Sequence, residues 1–250
     1  MYDIITYISN DYINILLKNI STWKRKEVST IFIYTEEYET NDNNVNRILK
    51  LNHSENDPYI FLVPIFKKSN NFTEHCQRKA ISLLHNLKLD IMALYATKNK
   101  ILLDADCIIS GNLNNIFDKE FNIQITSNKN VKDKHKINGL VGGVLFCKNN
   151  EKTRDFIREW VKLQNEQFRK TPSIDQISLI ETIKKYQKDQ KFKINILDQE
   201  IYNLYPATNV SKWIDKIKNN IDKIKIIHFT SKLMNYNCGI VKIIREKIIG

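Results

Sequence analysis

Two carboxylates, Asp104 and Asp106, follow directly on the apolar run at 101–103 and are separated only by Ala105. On an extended chain, residues two apart point to the same side, so we expect both carboxylates on one face. A carboxylate that is buried without a partner is costly in free energy, so something must neutralise the pair. A hard divalent cation would do so and would keep coordination positions open for phosphate oxygens.

The same pair is compatible with two other interpretations. In a phosphohydrolase of the haloacid dehalogenase type, Asp104 would be a nucleophile and Asp106 a general acid. Two features count against that class: the pair lies late in the chain, and no later D-D, D-x-x-x-D or D-x-x-x-x-D supplies further metal ligands. Solvated loop aspartates are the third interpretation, because a D-x-D alone is a short motif that chance produces often.

The elements that must position this pair alternate between strands and helices. Short apolar runs predict strands at 4–8, 29–34 and 59–66, and apolar residues at helical spacing predict a helix over 12–23. This alternation favours a mostly parallel sheet, on which ligands gather at the carboxyl ends of the strands, where Asp104 and Asp106 lie. The other predicted strands are 101–103, 122–126, 142–147, 193–197 and 224–228, and the other predicted helices are 152–168 and 174–186.

A long helix is predicted immediately before the D-x-D strand. Its apolar face is assigned to Ile81, Leu84, Leu87, Ile91 and Leu94, which recur at helical spacing. This helix would lead the chain back to the strand that ends at the two aspartates.

Length and composition favour a single globular domain over 1–250. Hydrophobic residues make up 42% of the 250 residues and charged residues 27%, and the net charge is +11. Such a charge suits an anionic membrane surface, a phosphorylated substrate or a nucleic acid, so a basic non-enzymatic binding module is an open alternative. The segment 239–250 is interpreted either as a basic amphipathic helix or as a final helix packed on the core.

The N-terminus lacks a signal-peptide pattern, and no apolar run is long enough to span a membrane. The four cysteines show no C-x-x-C spacing and therefore give no sign of a zinc site. We expect reduced thiols and a cytoplasmic protein, which could be peripheral at the membrane.

Five segments together resemble one enzyme family. The sequence KILLDADCIISGNLNNIF resembles the D-x-D segment of the glycogenin and lipopolysaccharide galactosyltransferase-like glycosyltransferases. The segments ITYISNDY, GGVLF, IDQISL and KIIHFTSKLMNYN, the last preceded by IYNLYP, resemble other motifs of that family in the same order. The resemblance implies an α/β, single-domain GT-A fold, Rossmann-like, in which helices flank a mixed, mostly parallel sheet. It also implies a retaining transferase that uses nucleotide sugars and manganese.

The resemblance assigns the metal and phosphate contacts residue by residue. Asp104, Asp106 and His228 would hold Mn²⁺ or Mg²⁺, with Asp104 also near the donor. Lys232 and Lys88 would contact the donor, although the loop before Lys232 is shorter than in the family and Lys88 aligns only with a gap.

The remaining assignments concern the nucleotide and the sugar. The base and ribose would lie at Tyr7, Ser9, Asn10 and Tyr12, with Tyr12 stacked on uracil, although Tyr7 could equally be a packed strand residue. Asp175 would grip a donor hydroxyl and Gln176 would present its amide near the anomeric carbon, although Asp175 could also be an ordinary residue of a first helical turn. The family has Asn where this chain has Val141, so a sugar or acceptor contact is missing.

The leading interpretation is therefore a metal-dependent retaining glycosyltransferase that moves a hexose from a UDP-sugar to a glycan, glycolipid or protein acceptor. It expects no nucleic-acid partner.

Overall fold

The computed structural model describes residues 1–9, 12–24, 26–37, 43–51, 57–68, 72–92, 98–127, 139–167, 174–205 and 210–229. The strands are β1 (Tyr2–Tyr7), β2 (Val28–Glu36), β3 (Tyr59–Phe66), β4 (Asn99–Leu103), β5 (Cys107–Ile109), β6 (Ile123–Ser127), β7 (Leu140–Cys147), β8 (Ile194–Asp198) and β9 (Ile226–His228). The helices are α1 (Ile13–Asn19), α2 (Asn43–Leu49), α3 (Phe72–Met92), α4 (Glu151–Gln167), α5 (Ile174–Tyr186), α6 (Gln199–Tyr202) and α7 (Val210–Asn220).

The main sheet has seven strands in the order β3-β2-β1-β4-β7-β6-β8. All of its neighbouring strands are parallel except those that pair with β7, which runs antiparallel to both β4 and β6. The expected mixed, mostly parallel sheet of a GT-A fold is thus confirmed. Because β7 runs against β4, its amino-terminal half reaches the carboxyl end of β4, where the aspartates lie.

The central strands of the sheet are buried on both faces, as expected for strands that read as continuous apolar runs. On β1, Ile4 packs into one core together with α1, and Ile5 packs into the opposite core together with α3, α4 and α5. Both side chains are fully buried. The alternation of side chains along the strand therefore places one helical layer on each face.

A bulge interrupts the pairing between β6 and β7 beside the aspartates. Leu145 lies opposite Ile125, but the next partner pair joins Val141 to Thr126, so the register skips residues 142–144 of β7. Bulges bend a strand and are common next to active sites. Here the bulge turns two successive glycines, Gly142 and Gly143, towards other elements.

A second, two-stranded sheet carries the chain beyond the D-x-D. In it β5 pairs antiparallel with β9, so that Cys107 lies opposite His228. The sequence patterns missed β5 and α6, because a three-residue strand and a four-residue helix are too short to show a period. They also missed α7, although Trp213, Ile214 and Ile217 recur in it at helical spacing.

The buried face of α3 is rotated from the predicted one. Ala80, Leu83 and Leu87 are fully buried, whereas Ile81 and Leu84 are only partly buried. Ile91 and Leu94 lie outside the part of the chain whose side chains can be described. The charged residue Lys79 consequently lies beside the buried stripe.

Among the described helices, none combines the length and the apolar character that crossing a membrane requires.

Candidate active site at the carboxyl end of β4

The D-x-D segment forms a turn. The Asp104 N–H donates to the Gly143 carbonyl (3.0 Å), and the Cys107 N–H donates back to the Asp104 carbonyl (3.0 Å). The expectation of extended backbone through the pair is therefore wrong: the strand ends at Leu103, and a four-residue turn leads into β5. The turn nevertheless keeps both carboxylates near one imidazole.

Two side chains support this turn, one from the end of α1 and one from the 3-10 helix (Ile20–Trp23) that continues it. The Asn19 amide donates to the Ala105 carbonyl (3.0 Å), and the Trp23 indole N–H donates to the Cys107 carbonyl (3.0 Å). All four residues are buried. Because a buried carbonyl needs a donor, these bonds hold the backbone of the turn in one conformation.

His228 ends β9 and points one ring nitrogen at the aspartates. Its Nε2 lies 3.1 Å from Asp106 Oδ1 and 3.8 Å from Asp104 Oδ2. Its other nitrogen, Nδ1, lies 3.0 Å from Asn203 Oδ1, and the Asn203 amide donates to Thr126 Oγ1 (3.0 Å). An amide oxygen can only accept, so this bond fixes the proton on Nδ1 and leaves the Nε2 lone pair free to bind a cation.

The two glycines of the β7 bulge make room for the site. A Cβ on Gly143 would lie 2.3 Å from Cε1 of His228 and 3.2 Å from Oδ2 of Asp104. A Cβ on Gly142 would lie 2.9 Å from the Gln176 side-chain oxygen. The pair of glycines therefore lets the strand pass directly against both the imidazole and the α5 side chain.

Lys79 of α3 supplies the positive charge that the carboxylates need in this structure. Its Nζ lies 2.6 Å from Asp104 Oδ1. Burial alone would lower the pKa of Lys79, but attraction by Asp104, then by Asp175 and Asp106, outweighs it and raises the pKa above its ordinary value. Lys79 therefore stays charged and neutralises part of the negative charge of the two aspartates.

Burial has the opposite effect on Asp104. It raises the pKa of this carboxyl above its ordinary value, and the repulsion of Asp106 adds to that effect. Electrostatic attraction by Lys79, and to a smaller extent by His228, opposes this rise in the pKa of Asp104. Buried carboxylates with a shifted pKa and a specific charge partner occur often at functional sites.

Lys88 does not reach the site. It is exposed and lies nine residues beyond Lys79 on α3. Nine residues make two and a half turns, so Lys88 projects from the opposite side of the helix and about 13 Å further along its axis. The position of Lys88 therefore gives its assignment to donor binding no support, and Lys79 is the α3 lysine at the aspartates.

Asp175 and Gln176 lie in the first turn of α5, beside the same site. Asp175 acts electrostatically on Lys79, and its carbonyl accepts from the Trp160 indole (3.2 Å). The Gln176 amide bonds to the bulged strand: its oxygen accepts from the Gly142 N–H (2.9 Å), and its nitrogen donates to the Leu140 carbonyl. Gln176 is thus held against β7, and its contact with a donor sugar stays a prediction.

Tyr7 takes part in a buried charge cluster at the carboxyl ends of β1 to β3. The Arg78 guanidinium donates to the Tyr7 hydroxyl (2.7 Å), to Glu36 Oε1 (2.6 Å) and to the Lys67 carbonyl (2.7 Å). The ring of Tyr7 also lies edge-on to Phe66. These contacts agree with the alternative that Tyr7 is a packed strand residue.

The other nucleotide residues are placed only in part. Ser9 is buried and its carbonyl accepts from the Tyr12 N–H (3.0 Å), while the Tyr12 side chain is exposed at the start of α1. Tyr12 is also an electrostatic neighbour of Tyr205, whose ring stands perpendicular to His228 at 5.0 Å. Asn10 and Lys232 lie outside the described residues.

The donor atoms fit a divalent cation. Two carboxylates and the Nε2 of an oriented imidazole form the oxygen-rich set that manganese or magnesium prefers. Within the described residues, Asp106, Cys107 and His228 form a group of potential ligands whose ligand atoms all lie within 4.8 Å of one another. For a hard cation we favour Asp104 over Cys107, because hard cations prefer oxygen ligands to sulfur.

Comparison with known proteins agrees with this geometry. The model of the nucleotide-diphospho-sugar transferase family matches residues 48–237, which is more than half of the 250 residues and includes both aspartates and His228. The chain belongs to the nucleotide-diphospho-sugar transferase family. Family membership excludes the haloacid dehalogenase alternative, in which Asp104 would be a nucleophile. A search of curated proteins finds no match.

Solved structures show that this family member has the GT-A fold. The glycosyltransferase GlyE of Streptococcus pneumoniae TIGR4 is 12% identical with a TM-score of 0.58, and the match covers 100% of this chain and 61% of GlyE. The galactosyltransferase LgtC, solved in complex with donor and acceptor sugar analogues, is 13% identical with a TM-score of 0.56, and the match covers 99% of this chain and 96% of LgtC. The chain thus spans about three fifths of the GlyE chain. At such identities the likeness shows the fold alone.

Sequence reasoning missed three residues that build this family member's site: Lys79, Asn203 and Gly143. The segment IYNLYP contained Asn203 but gave it no role. The doubled glycine in GGVLF was a usable signal, because glycine inside a strand often marks close approach of another group. Lys79 would have been found had the buried stripe of α3 been assigned to Ala80, Leu83 and Leu87.

Proposed function

We propose that the protein is a metal-dependent retaining glycosyltransferase that transfers a hexose from a UDP-sugar to a glycan, glycolipid or protein acceptor. One observation carries the proposal: at the carboxyl end of β4, His228 Nε2 lies 3.1 Å from Asp106 Oδ1 and 3.8 Å from Asp104 Oδ2. Membership of the nucleotide-diphospho-sugar transferase family supports a nucleotide-sugar donor.

Asp104, Asp106 and His228 would hold the divalent cation. When bound, such a cation neutralises the donor diphosphate and stabilises it as a leaving group. Asn203 holds the imidazole in the tautomer that leaves Nε2 free, and Gly143 leaves space for the ring. The chain itself thus supplies an oriented ligand set before any donor arrives.

Lys79 would act on the same diphosphate. Its ammonium group pairs with Asp104 in this structure. We propose that the Lys79 ammonium also interacts with the donor phosphate once a cation binds the Asp104 carboxylate. A positive charge in a partly buried site stabilises the negative charge that develops on the leaving group. Lys232 would add a second positive charge.

Asp175 and Gln176 would lie against the donor sugar. Asp175 would accept a hydrogen bond from a sugar hydroxyl, because an ionised carboxylate only accepts. Gln176 would present its amide near the anomeric carbon, and its bonds to Gly142 and Leu140 hold it at the bulge beside Gly143. Tyr12, Ser9 and Asn10 would form the nucleotide side of the site.

An activity screen tests the proposal directly. The full chain is incubated with individual UDP-hexoses and Mn²⁺, and UDP release is measured with and without EDTA. We expect release from at least one donor, its loss with EDTA, and its loss in Asp106→Ala. Release of inorganic phosphate from small phosphoesters, without UDP release from any donor, would contradict it. The anomeric configuration of the product, read by NMR, tests retention.

We further propose that the protein meets an anionic membrane surface through β3, the edge strand of the main sheet. Tyr59, Phe61 and Ile65 recur at every second or fourth position and are exposed by 71%, 51% and 39%. Lys67 and Lys68 follow, both exposed, and the chain carries a charge of +11. Aromatic side chains beside lysines suit an anionic headgroup layer.

Vesicle sedimentation tests this surface. We expect binding to phosphatidylserine vesicles that weakens with salt and falls in a Tyr59→Ser, Phe61→Ser variant, and no binding to phosphatidylcholine vesicles. Equal binding of the wild type and the variant would contradict the proposal.

A further inference from the structure

Cys107 brings a sulfur ligand to the same site. Its Sγ, a carboxylate oxygen of Asp106 and a ring nitrogen of His228 all lie within 4.8 Å of one another. All three residues are buried, with exposed fractions of 0% for Cys107, 8% for Asp106 and 6% for His228. The cluster therefore offers one sulfur, one oxygen and one nitrogen ligand.

The position of this sulfur follows from the fold. Cys107 begins β5 and lies opposite His228 of β9, and paired residues of an antiparallel ladder place their side chains on the same face. The backbone of Cys107 is fixed on both sides: its N–H donates to Asp104, and its carbonyl accepts from Trp23. The thiol is thus held next to the imidazole.

Two overlapping ligand sets result. Asp104, Asp106 and His228 form an oxygen-rich set for a hard cation, whereas Asp106, Cys107 and His228 form a set for a thiophilic cation. Tetrahedral zinc, with bonds of about 2.0 to 2.3 Å, separates its ligand atoms by roughly 3.3 to 3.8 Å, so small side-chain movements suffice. The second set also leaves the ion pair between Lys79 and Asp104 intact.

We propose that Asp106, Cys107 and His228 bind a thiophilic divalent cation of the zinc class, and that this cation excludes the hard cation because both need Asp106 and His228. Binding releases the thiol proton of Cys107 to solvent and forms one metal–sulfur bond. The exclusion rests on the proposed function, but the thiophilic site itself does not. The cysteine spacing in the sequence could not show this site, because the strand pairing assembles it.

Cobalt titration of the full chain tests the site, since a thiolate bound to Co²⁺ gives a charge-transfer band in the near ultraviolet. We expect the band in the wild type and in Cys147→Ser, whose buried thiol is the matched control. We expect Cys107→Ser to lose the band, with Co²⁺ affinity falling at least as far as the roughly 10- to 100-fold that loss of an outer-shell partner causes. A band that persists in Cys107→Ser, or is missing from the wild type, overturns the proposal.

Zinc K-edge absorption on the wild type keeps the proposal falsifiable should Cys107→Ser fail to fold. One sulfur scatterer at about 2.3 Å supports it, and a shell of nitrogen and oxygen alone overturns it. The exclusion is tested by measuring Mn²⁺ release with electron paramagnetic resonance: one equivalent of Zn²⁺ should displace bound Mn²⁺. Bound Mn²⁺ that stays in place overturns the exclusion. Failure of Mn²⁺ to bind at all counts against the proposed function, and the cobalt band still decides the thiophilic site.

Discussion

Gly143 lies directly against the imidazole of His228, so closely that a Cβ at this position would approach Cε1 to 2.3 Å. The carbonyl of Gly143, in the strand bulge, also accepts a hydrogen bond from the Asp104 N–H. One glycine therefore sets the distance between the backbone of β7, the first aspartate and the histidine.

Gly143→Ala should disrupt the site. The added methyl group must push the imidazole away from the carboxylates, and overpacking of this kind destabilises a protein by about 1 to 3 kcal/mol. We expect weaker Mn²⁺ binding by titration calorimetry and a lower free energy of unfolding in urea. Gly142→Ala is the comparison, because its Cβ would meet the Gln176 side-chain oxygen at 2.9 Å and Leu179 at 3.6 Å rather than His228. Equal Mn²⁺ affinity of Gly143→Ala and the wild type would contradict this account.

The sequence predicted which residues meet at the end of β4 more reliably than it predicted the residues that support them. Asp104, Asp106 and His228 carry recognisable motifs, and the apolar runs around them place each at the end of a strand. Lys79 and Asn203 act through long-range contacts that depend on how α3 rotates and where β9 pairs. Neither the rotation of α3 nor the pairing of β9 leaves a periodic pattern in the sequence, because packing against distant elements decides both.

The fold, too, could be predicted from the sequence only in part. The bounds of β3 and α5 agree with their predicted ranges, since long apolar runs or helical periods define them. The antiparallel direction of β7 and the short sheet of β5 and β9 were not visible in the sequence. Strand direction depends on the path of the connection, and no local pattern records that path.

Asn203→Ala should weaken metal binding without removing a ligand. Without the Asn203 oxygen, the His228 ring loses the bond that fixes its tautomer and orientation. Loss of such an outer partner typically lowers metal affinity by about 10- to 100-fold. Mn²⁺ titration of Asn203→Ala and of Asn203→Asp measures this effect. Asn203→Asp keeps an acceptor for Nδ1 and should retain more Mn²⁺ affinity. An Mn²⁺ affinity of Asn203→Ala equal to that of the wild type would argue against the role of Asn203 in orienting His228.

Lys79→Met and Lys88→Met should behave differently. Lys79 neutralises Asp104 at 2.6 Å, whereas Lys88 is exposed on the far side of α3. We expect Lys79→Met to bind UDP more weakly in the presence of Mn²⁺, because a positive charge near the diphosphate is lost. Lys88→Met should bind UDP as the wild type does. Equal losses in both variants would show that net charge, rather than position, matters.

Arg78→Met should lower the free energy of unfolding strongly. Arg78 and Glu36 form a buried pair, 2.6 Å apart, with side-chain exposures of 6% and 7%. Removing Arg78 takes its ion-pair partner away from a buried carboxylate, and loss of one partner of a buried pair costs about 3 to 5 kcal/mol. Urea unfolding of Arg78→Met and of the double variant Arg78→Met, Glu36→Leu measures it. The double variant should recover part of the loss, and a further drop would contradict this interpretation.

Thermal unfolding with UDP and Mn²⁺, added separately and together to the wild type and to Asp106→Ala, tests the central claim most directly. At a hundredfold excess over Kd, the two ligands together should stabilise the wild type by about 2.7 kcal/mol. Asp106→Ala should gain much less, because it has lost a ligand that lies 3.1 Å from His228. No stabilisation of the wild type, or equal stabilisation of both proteins, would contradict the proposed metal-assisted binding of a sugar nucleotide at this site.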